Sequence, residues 1–323
     1  MKAFVLTRYG EPEDLTLMDV DKPTPATGQV LVKVMATAIN DYDWAMVRGK
    51  PDLYRLLFGI TKPKSPVPGM ELSGIVEAVG DNVTLLKPGD RVYGDISQFG
   101  FGTFAEYVCV NEKAFVHIPG GMSFEEAASL SHASMLAYQA LYDYGKIGEG
   151  MKILINGGGG GVGFFGLQLA KLHGAEVTGV DTGDKLLAMK SIGFDYVIDY
   201  KREDFTRNGK KYDLIVDTKT TRSSISYLRS LNTNGQYVTV GGYLHRILET
   251  VVMNPVISLF SNKRVKLVPL VPNKDLGIIN HLYSQGKLKC MIDGPYSFDK
   301  IPWALRYFGE GRHTGKVVIH VSR

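Results

Sequence analysis

The chain has 323 residues, a formal net charge of +4, 44 % hydrophobic and 22 % charged residues, and two cysteines. That length suits two domains with separate cores, and the small, dispersed charge argues against nucleic acid or a membrane surface as partner. Two cysteines cannot build a disulfide framework or a four-thiolate zinc site, and no apolar stretch approaches the ~20 residues of a membrane span. The opening MKAFVLTRYGEPEDL has neither signal nor transit character, so a reducing, cytoplasmic setting is expected.

Residues 1–120 are β-rich, with Gly and Pro between short runs. Strands are expected at Phe4–Thr7, Leu15–Val20, Val30–Ile39, Leu72–Val79 and Phe104–Val110, with turns at KPTPATG, KPKSPVPG and LKPGD. Without helical crossovers, this suits a small irregular β-barrel. From Ser123 the rhythm changes. Ser123 and Glu126 form a capping box that opens a helix. Strands then alternate with helices: Lys152–Ile155, Val162–Leu172, Glu176–Val180, Lys185–Ser191, Tyr196–Ile198, Leu214–Val216, Ser223–Arg229, Tyr237–Val240 and Val265–Pro269. Such alternation predicts an α/β fold with a doubly wound parallel sheet. A helix over Leu276–Gln285 and a last strand over Lys316–Val321 follow. The expected domains are 1–123 with 289–323, and 124–288.

Residues 151–181 read MKILINGGGGGVGFFGLQLAKLHGAEVTGVD. Gly158, Gly160 and Gly163 fit G-x-G-x-x-G after one strand and before a helix, and Asp181 ends the next strand at the spacing of a dinucleotide fingerprint. Gly158, Gly160, Gly161, Val162 and Gly163 are the expected backbone donors to a pyrophosphate. Gly241 and Gly242, and Asp217 with Thr218, end further strands at the carboxyl edge, where such ligands dock. An acid at the position of Asp181 accepts both ribose hydroxyls of NAD and repels a 2′-phosphate.

The order of barrel, Rossmann unit and returning tail resembles the medium-chain dehydrogenase/reductase superfamily over the whole chain. The segments PGMELSGIVEAVGDNV, LKPGDRVYGD, GTFAEYV, DYVIDY and TGKVVIHV carry the resemblance together with the glycine loop. It implies a GroES-like N-terminal barrel and an active site in a cleft between domains. In zinc-dependent relatives the first metal ligand would stand at Asn40, the histidine at Met70 before Glu71, and a later ligand at His132. Zinc favours tetrahedral nitrogen and sulfur donors, which an amide and a thioether do not replace. A zinc-free protein is therefore expected, with His132 a cleft or packing histidine.

The zinc-free branch most resembled is the quinone oxidoreductase, or zeta-crystallin-like, group. Its Asn-x-x-Asp is matched by Asn40 and Asp43. Trp44 fits one subgroup, and Ala45 stands where others have tyrosine. Its usual NGASGGVG loop carries Gly158-Gly159 here in place of Ala-Ser. By this resemblance Asp217-Thr218 pass under the cofactor's riboses, Lys316 lies near the cofactor, and Lys185 and Tyr200 fall where relatives touch a 2′-phosphate. Asp181 opposes that last contact, so NAD(P)H is expected with NADH slightly favoured.

The expected activity is metal-free hydride transfer from NAD(P)H to a quinone or an α,β-unsaturated carbonyl. Asn40 would donate an amide N–H to the developing oxyanion. Tyr42, Trp44 and Phe260 would line an apolar slot, with Asp43 and His132 also at the substrate, and the final proton would come from solvent. A zinc-independent alcohol dehydrogenase-like enzyme and a non-catalytic NAD(P)H-binding redox sensor remain alternatives. A homodimer is left open.

Overall fold

A computed structural model, which describes residues 1–322, folds into two units. The first comprises Met1–His132, Pro272–Ser284 and the chain from Cys290 onward; the second comprises Ala133–Val271 and Gln285–Lys289. In chain order the first unit starts with β1 Lys2–Val5, β2 Thr16–Asp19, β3 Gln29–Ala38, α1 Asp41–Arg48, α2 Arg55–Phe58, β4 Glu71–Val79, β5 Arg91–Asp95, β6 Tyr107–Asn111 and β7 Val116–His117. Helix α3, Phe124–Tyr138, leads into the second unit: β8 Lys152–Asn156, α4 Gly161–Lys171, β9 Glu176–Asp181, α5 Lys185–Ser191, β10 Tyr196–Asp199, β11 Tyr212–Asp217, α6 Ser224–Leu228, β12 Leu231–Thr239, α7 Leu244–Phe260 and β13 Arg264–Leu267. The chain closes with α8 Leu276–Ser284, β14 Ile292–Ser297, α9 Ile301–Gly309 and β15 Lys316–His320.

In the first unit the sheet runs β14-β15-β3-β4-β5-β7, with β6 also on β3. Inward residues of β3 (Val30, Val32, Val34) pack on Leu72, Val76, Val92, Ile96, Val108 and Val110. The long β3 pairs with β4 through two register shifts, the bulges by which a sheet curls. Its far end takes β15 antiparallel, with Val318 opposite Ala38. That pairing brings Lys316 close to the start of α1. Strands β5 and β7 were not expected, being short and next to turn signals. The nominal strand Phe104–Val110 begins only at Tyr107.

The second unit is a wholly parallel sheet in the order β10-β9-β8-β11-β12-β13. Winding reverses between β8 and β11, and the carboxyl ends of strands at such a point form the ligand crevice of doubly wound sheets. Its core joins Leu154, Val180, Phe205, Ile215, Tyr227, Tyr237, Ile257 and Val265.

Besides β5 and β7, five elements lie where no strand or helix was expected: α1, α2, α7, β14 and α9. Helix α7 has Pro255 inside it, a residue that argues against a helix interior, and its apolar Leu248, Val252, Val256 and Leu259 recur at helical spacing but face outward. The expected 124–288 boundary is corrected at α8. The Asn273 side chain clamps both the N–H and the C=O of Asp95, and Asn280 accepts the Tyr93 hydroxyl, so residues 272–284 belong to the first unit.

Candidate active site

Strand β8 leads into Gly157, whose φ of +89° suits glycine and where a Cβ would lie 2.1 Å from Thr218 Oγ1. Gly157 was not among the expected loop residues, yet it makes the turn. A Cβ on Gly163 would lie 2.5 Å from Gly157 O and Gly158 Cα, so only glycine lets α4 approach this closely. Two expected donors are corrected. Gly158 N–H bonds Val180 O (3.1 Å) and Gly160 N–H bonds Gly157 O (3.2 Å), closing the turn itself. The N–H groups of Gly161, Val162 and Gly163 form the first turn of α4, whose N-cap, Gly160, offers no side-chain cap. Uncapped N–H groups at the positive end of a helix fit a pyrophosphate.

Asp181 ends β9 beside this loop. Its Oδ2 accepts Gly159 N–H (3.1 Å), its Oδ1 accepts Thr182 N–H (3.0 Å), and Lys185 Nζ stands 3.7 Å away. Tyr200 N–H bonds Asp181 O at 3.1 Å, with its ring half exposed. Asp181, Lys185 and Tyr200 thus gather at one strand end.

Asp217 does not serve as expected. It is fully buried and accepts from Asn156 Nδ2 (2.8 Å), Lys219 N (2.8 Å), Thr220 N (3.0 Å) and Tyr237 OH (3.0 Å), tying the strand ends together with no acceptor position left for a ribose. Burial first, then the Asp217 charge, pushes the Tyr237 phenol up. Thr218 Oγ1 bonds Asn156 O (3.0 Å). At Gly242 a Cβ would meet Lys219 O at 2.1 Å, while Gly241 O accepts from the Thr220 and Thr239 hydroxyls.

The first unit holds a buried polar cluster that the sequence reading assembled only in part. Glu71 opens β4 fully buried. Its Oε1 accepts Asn40 Nδ2 (2.9 Å) and pairs with Lys316 Nζ; its Oε2 accepts Ser131 Oγ and His132 N–H, each at 2.8 Å. Lys316 also donates to Asn40 Oδ1. The other Asn40 amide hydrogen faces Ala38 O at 3.4 Å. Both amide hydrogens therefore have partners, and the expected oxyanion donor is not free. Asn40 instead bridges Glu71 and Lys316. Lys316 is a member of this buried cluster in the first unit.

Asp43 is wholly buried; its Oδ2 accepts Asn40 N–H (2.8 Å) and its Oδ1 has no partner. Burial, only partly countered by that hydrogen bond, pushes its carboxyl well above the usual range. Asp95, at the end of β5, accepts Ser97 N–H (2.9 Å) on Oδ1 and faces His132 Nδ1 (2.8 Å) with Oδ2. Burial works to raise its pKa, but the hydrogen bond and charge of His132, helped by Ser97, outweigh it and hold Asp95 below its ordinary value.

Beside this pair the Tyr42 ring stacks parallel to Tyr54 (centroids 6.4 Å apart) and meets Phe58 (6.2 Å) and His132 (6.4 Å) edge-on. Phe101 packs on Phe58 (5.8 Å). One other expected wall residue is corrected. Trp44 is two positions from Tyr42, so it points to another side of α1. It lies under the Arg48 guanidinium (4.5 Å) and against α9, where a Cβ on Gly309 would sit 2.5 Å from the indole. Phe260 ends α7 in the second unit, where it is 82 % exposed. Glu71, Asp95, Ser131, Tyr54, Phe58 and Phe101 were not expected. A charged residue bounding an apolar strand, at its start as at Glu71 or at its end as at Asp95, was the available signal.

At the positions where relatives bind zinc stand Asn40, a buried Met70, Glu71 in an ion pair and His132 bound through Nδ1. Among the described residues no group of three or more His, Cys, Asp or Glu could hold a metal ion. None of the described helices is long and apolar enough to cross a membrane.

Residues 26–120 match the alcohol dehydrogenase GroES-like domain family, and residues 192–319 match the zinc-binding dehydrogenase family. A 2-methylene-furan-3-one reductase of Solanum lycopersicum is 36 % identical over 99 % of this chain and 79 % of its own length. An NADPH-dependent alkenal/one oxidoreductase, chloroplastic, of Arabidopsis thaliana is 32 % identical, with the same two coverages. The solved quinone oxidoreductase of Coxiella burnetii superposes with a TM-score of 0.87 at 27 % identity, covering 100 % of this chain and 99 % of that one.

Proposed function

The chain belongs to the medium-chain dehydrogenase/reductase superfamily, in its zinc-free quinone oxidoreductase branch, and we propose that it reduces quinones or α,β-unsaturated carbonyls at the expense of NAD(P)H. The observation that carries this reading is the glycine loop with an uncapped helix N-terminus, which fits a dinucleotide pyrophosphate. The cofactor, when bound, supplies the hydride.

The residues of the chain bind and orient. Gly161, Val162 and Gly163 offer N–H groups to the pyrophosphate. Asp181 has two backbone donors on its two oxygens and keeps acceptor positions for the ribose hydroxyls, so NADH is the preferred cofactor in this proposal. Tyr42, Tyr54, Phe58 and Phe101 give a planar acceptor an aromatic surface. Asn40 acts as a positioning residue that bridges the Glu71–Lys316 ion pair and so holds the ends of β4 and β15 in place beside His132. With Asn40 and Met70 at the would-be ligand positions, the protein works without zinc. The free thiols Cys109 and Cys290 suit a reducing, cytoplasmic setting.

The test mixes the purified protein with NADH or NADPH and a panel of quinones, enals and enones, following loss of the reduced cofactor. Turnover on at least one class is expected. Tight cofactor binding with no oxidation across the panel would instead make the chain a non-catalytic nucleotide binder, and turnover on saturated aldehydes alone would make it alcohol dehydrogenase-like.

A further inference from the structure

We propose that His132, oriented by Asp95, is the general acid that protonates the reduced acceptor. The assignment rests on the reductase reading above and replaces solvent as the immediate source of the final proton.

Orientation comes first. Asp95 Oδ2 lies 2.8 Å from His132 Nδ1, and Asp95 cannot swing away: Ser97 N–H holds its other oxygen, and the Asn273 side chain clamps its backbone N–H (2.8 Å) and C=O (2.7 Å). A carboxylate on Nδ1 fixes that nitrogen as the N–H bearer and stabilises positive charge on the ring. Nε2 then does the exchange. It has no hydrogen-bond partner and is not among the buried unpartnered atoms, so it is open to solvent or ligand. The ring meets the edge of Tyr42, which is 43 % exposed and leads into the Tyr54–Phe58–Phe101 group.

The neighbouring groups are less available to an acceptor. Asp43 is sealed from solvent, and Lys316 is held by Glu71 and Asn40. Burial and the Asp95 charge push the Tyr42 phenol up. The groups that face His132 from the packed elements are Asp95 on β5, Tyr42 on α1 and Glu71 on β4; Glu71 is neutralised by Lys316 on β15.

The step balances. Hydride brings one electron pair to the β-carbon of the enone, and the C=C π pair moves out to give an enolate. The enolate α-carbon then takes the proton from Nε2, leaving a neutral imidazole whose Nδ1–H stays on Asp95. Water restores the proton. With a quinone the same proton goes to the oxygen of the hydroquinone anion.

An α-methyl enone tests this, because the face of protonation sets the new stereocentre. The unmodified protein is expected to give one α-enantiomer in excess, with a solvent isotope effect on turnover. His132→Gln is expected to lower turnover by about 10²-fold, to lose the α-excess while pre-steady-state hydride transfer persists, and to recover turnover when imidazole is added. Retention of turnover, α-excess and isotope effect in His132→Gln would overturn the assignment alone. Absence of cofactor oxidation by the unmodified protein with every quinone and enone would overturn the reductase reading beneath it. Should His132→Gln fail to fold, Asp95→Asn keeps an acceptor for Nδ1 but removes the charge; loss of the α-excess is expected, and an unchanged product overturns the proposal.

Discussion

Replacing Asp181 with serine should move cofactor preference toward NADPH. The Asp181 and Lys185 side chains are only 8 % and 10 % exposed and lie 3.7 Å apart, so both charges act close to the strand end where, in the proposed function, the adenosine ribose docks. A 2′-phosphate about 4 Å from the carboxylate meets roughly 4 kcal/mol of repulsion per unit pair at an effective dielectric near 20. Lys185 attracts the same phosphate but is shared with Asp181; if that offsets about half the repulsion, some 2 kcal/mol remains, or about thirtyfold in relative affinity. Serine removes the carboxylate and its repulsion, so the NADPH-to-NADH affinity ratio should rise by about that factor. The Gly159 N–H loses its acceptor in the variant, at about 1 kcal/mol for either cofactor, and this cancels in the ratio. Competitive titration of the two reduced cofactors measures it. Wild-type binding of NADPH at least tenfold tighter than NADH, about 1.4 kcal/mol, or a ratio unmoved by Asp181→Ser, would refute the reasoning.

Asn40→Ala should cost about 1–3 kcal/mol of stability, because Glu71 and Lys316 each lose a buried partner; urea unfolding reads this, and turnover should fall with the register of Lys316. Unchanged stability and turnover would show that the bridge carries nothing. Asp43→Asn should be neutral or stabilising at neutral pH. Burial raises the folded-state carboxyl above its unfolded value of 3.8, so the folded protein keeps a proton that the unfolded chain releases, and stability declines as pH rises above that value. The variant should lack this slope, and parallel stability–pH curves would refute the assignment. Elemental analysis should find no stoichiometric zinc, and chelators should leave activity intact. About one tightly held zinc per chain, lost together with activity, would overturn the zinc-free reading.

Local chemistry made much of the fold readable. Lys185–Ser191 forms a helix at the bounds expected, and β9 with α4 follows from an apolar run, glycines and an apolar stripe in immediate succession. Where burial and not local pattern decides, the sequence was silent. Helix α1 spans eight residues whose Tyr42 and Trp44 turn to different partners, and α7 presents apolar residues outward. The polar cluster was hidden for a related reason: Asn40, Glu71 and Lys316 meet only because β3 pairs with both β4 and β15, and Ser131 joins them from α3.

An acid at the carboxyl end of a strand looks the same in sequence whether it holds a ligand or the scaffold, and the donors converging on it make the difference. Asp217 receives four hydrogen bonds and Glu71 is met by four donors, which compensates each buried carboxylate and leaves nothing for a ligand. Asp43 receives one, and burial then favours its neutral form. Asp181 stands between these cases, with one backbone donor on each oxygen and a lysine nearby, and so keeps acceptor capacity where a ribose would lie. The same reasoning separates the two nitrogens of His132. Nδ1 is taken by Asp95 and Nε2 is open, so reactivity in this unit falls to the atom whose hydrogen bonding the fold leaves incomplete.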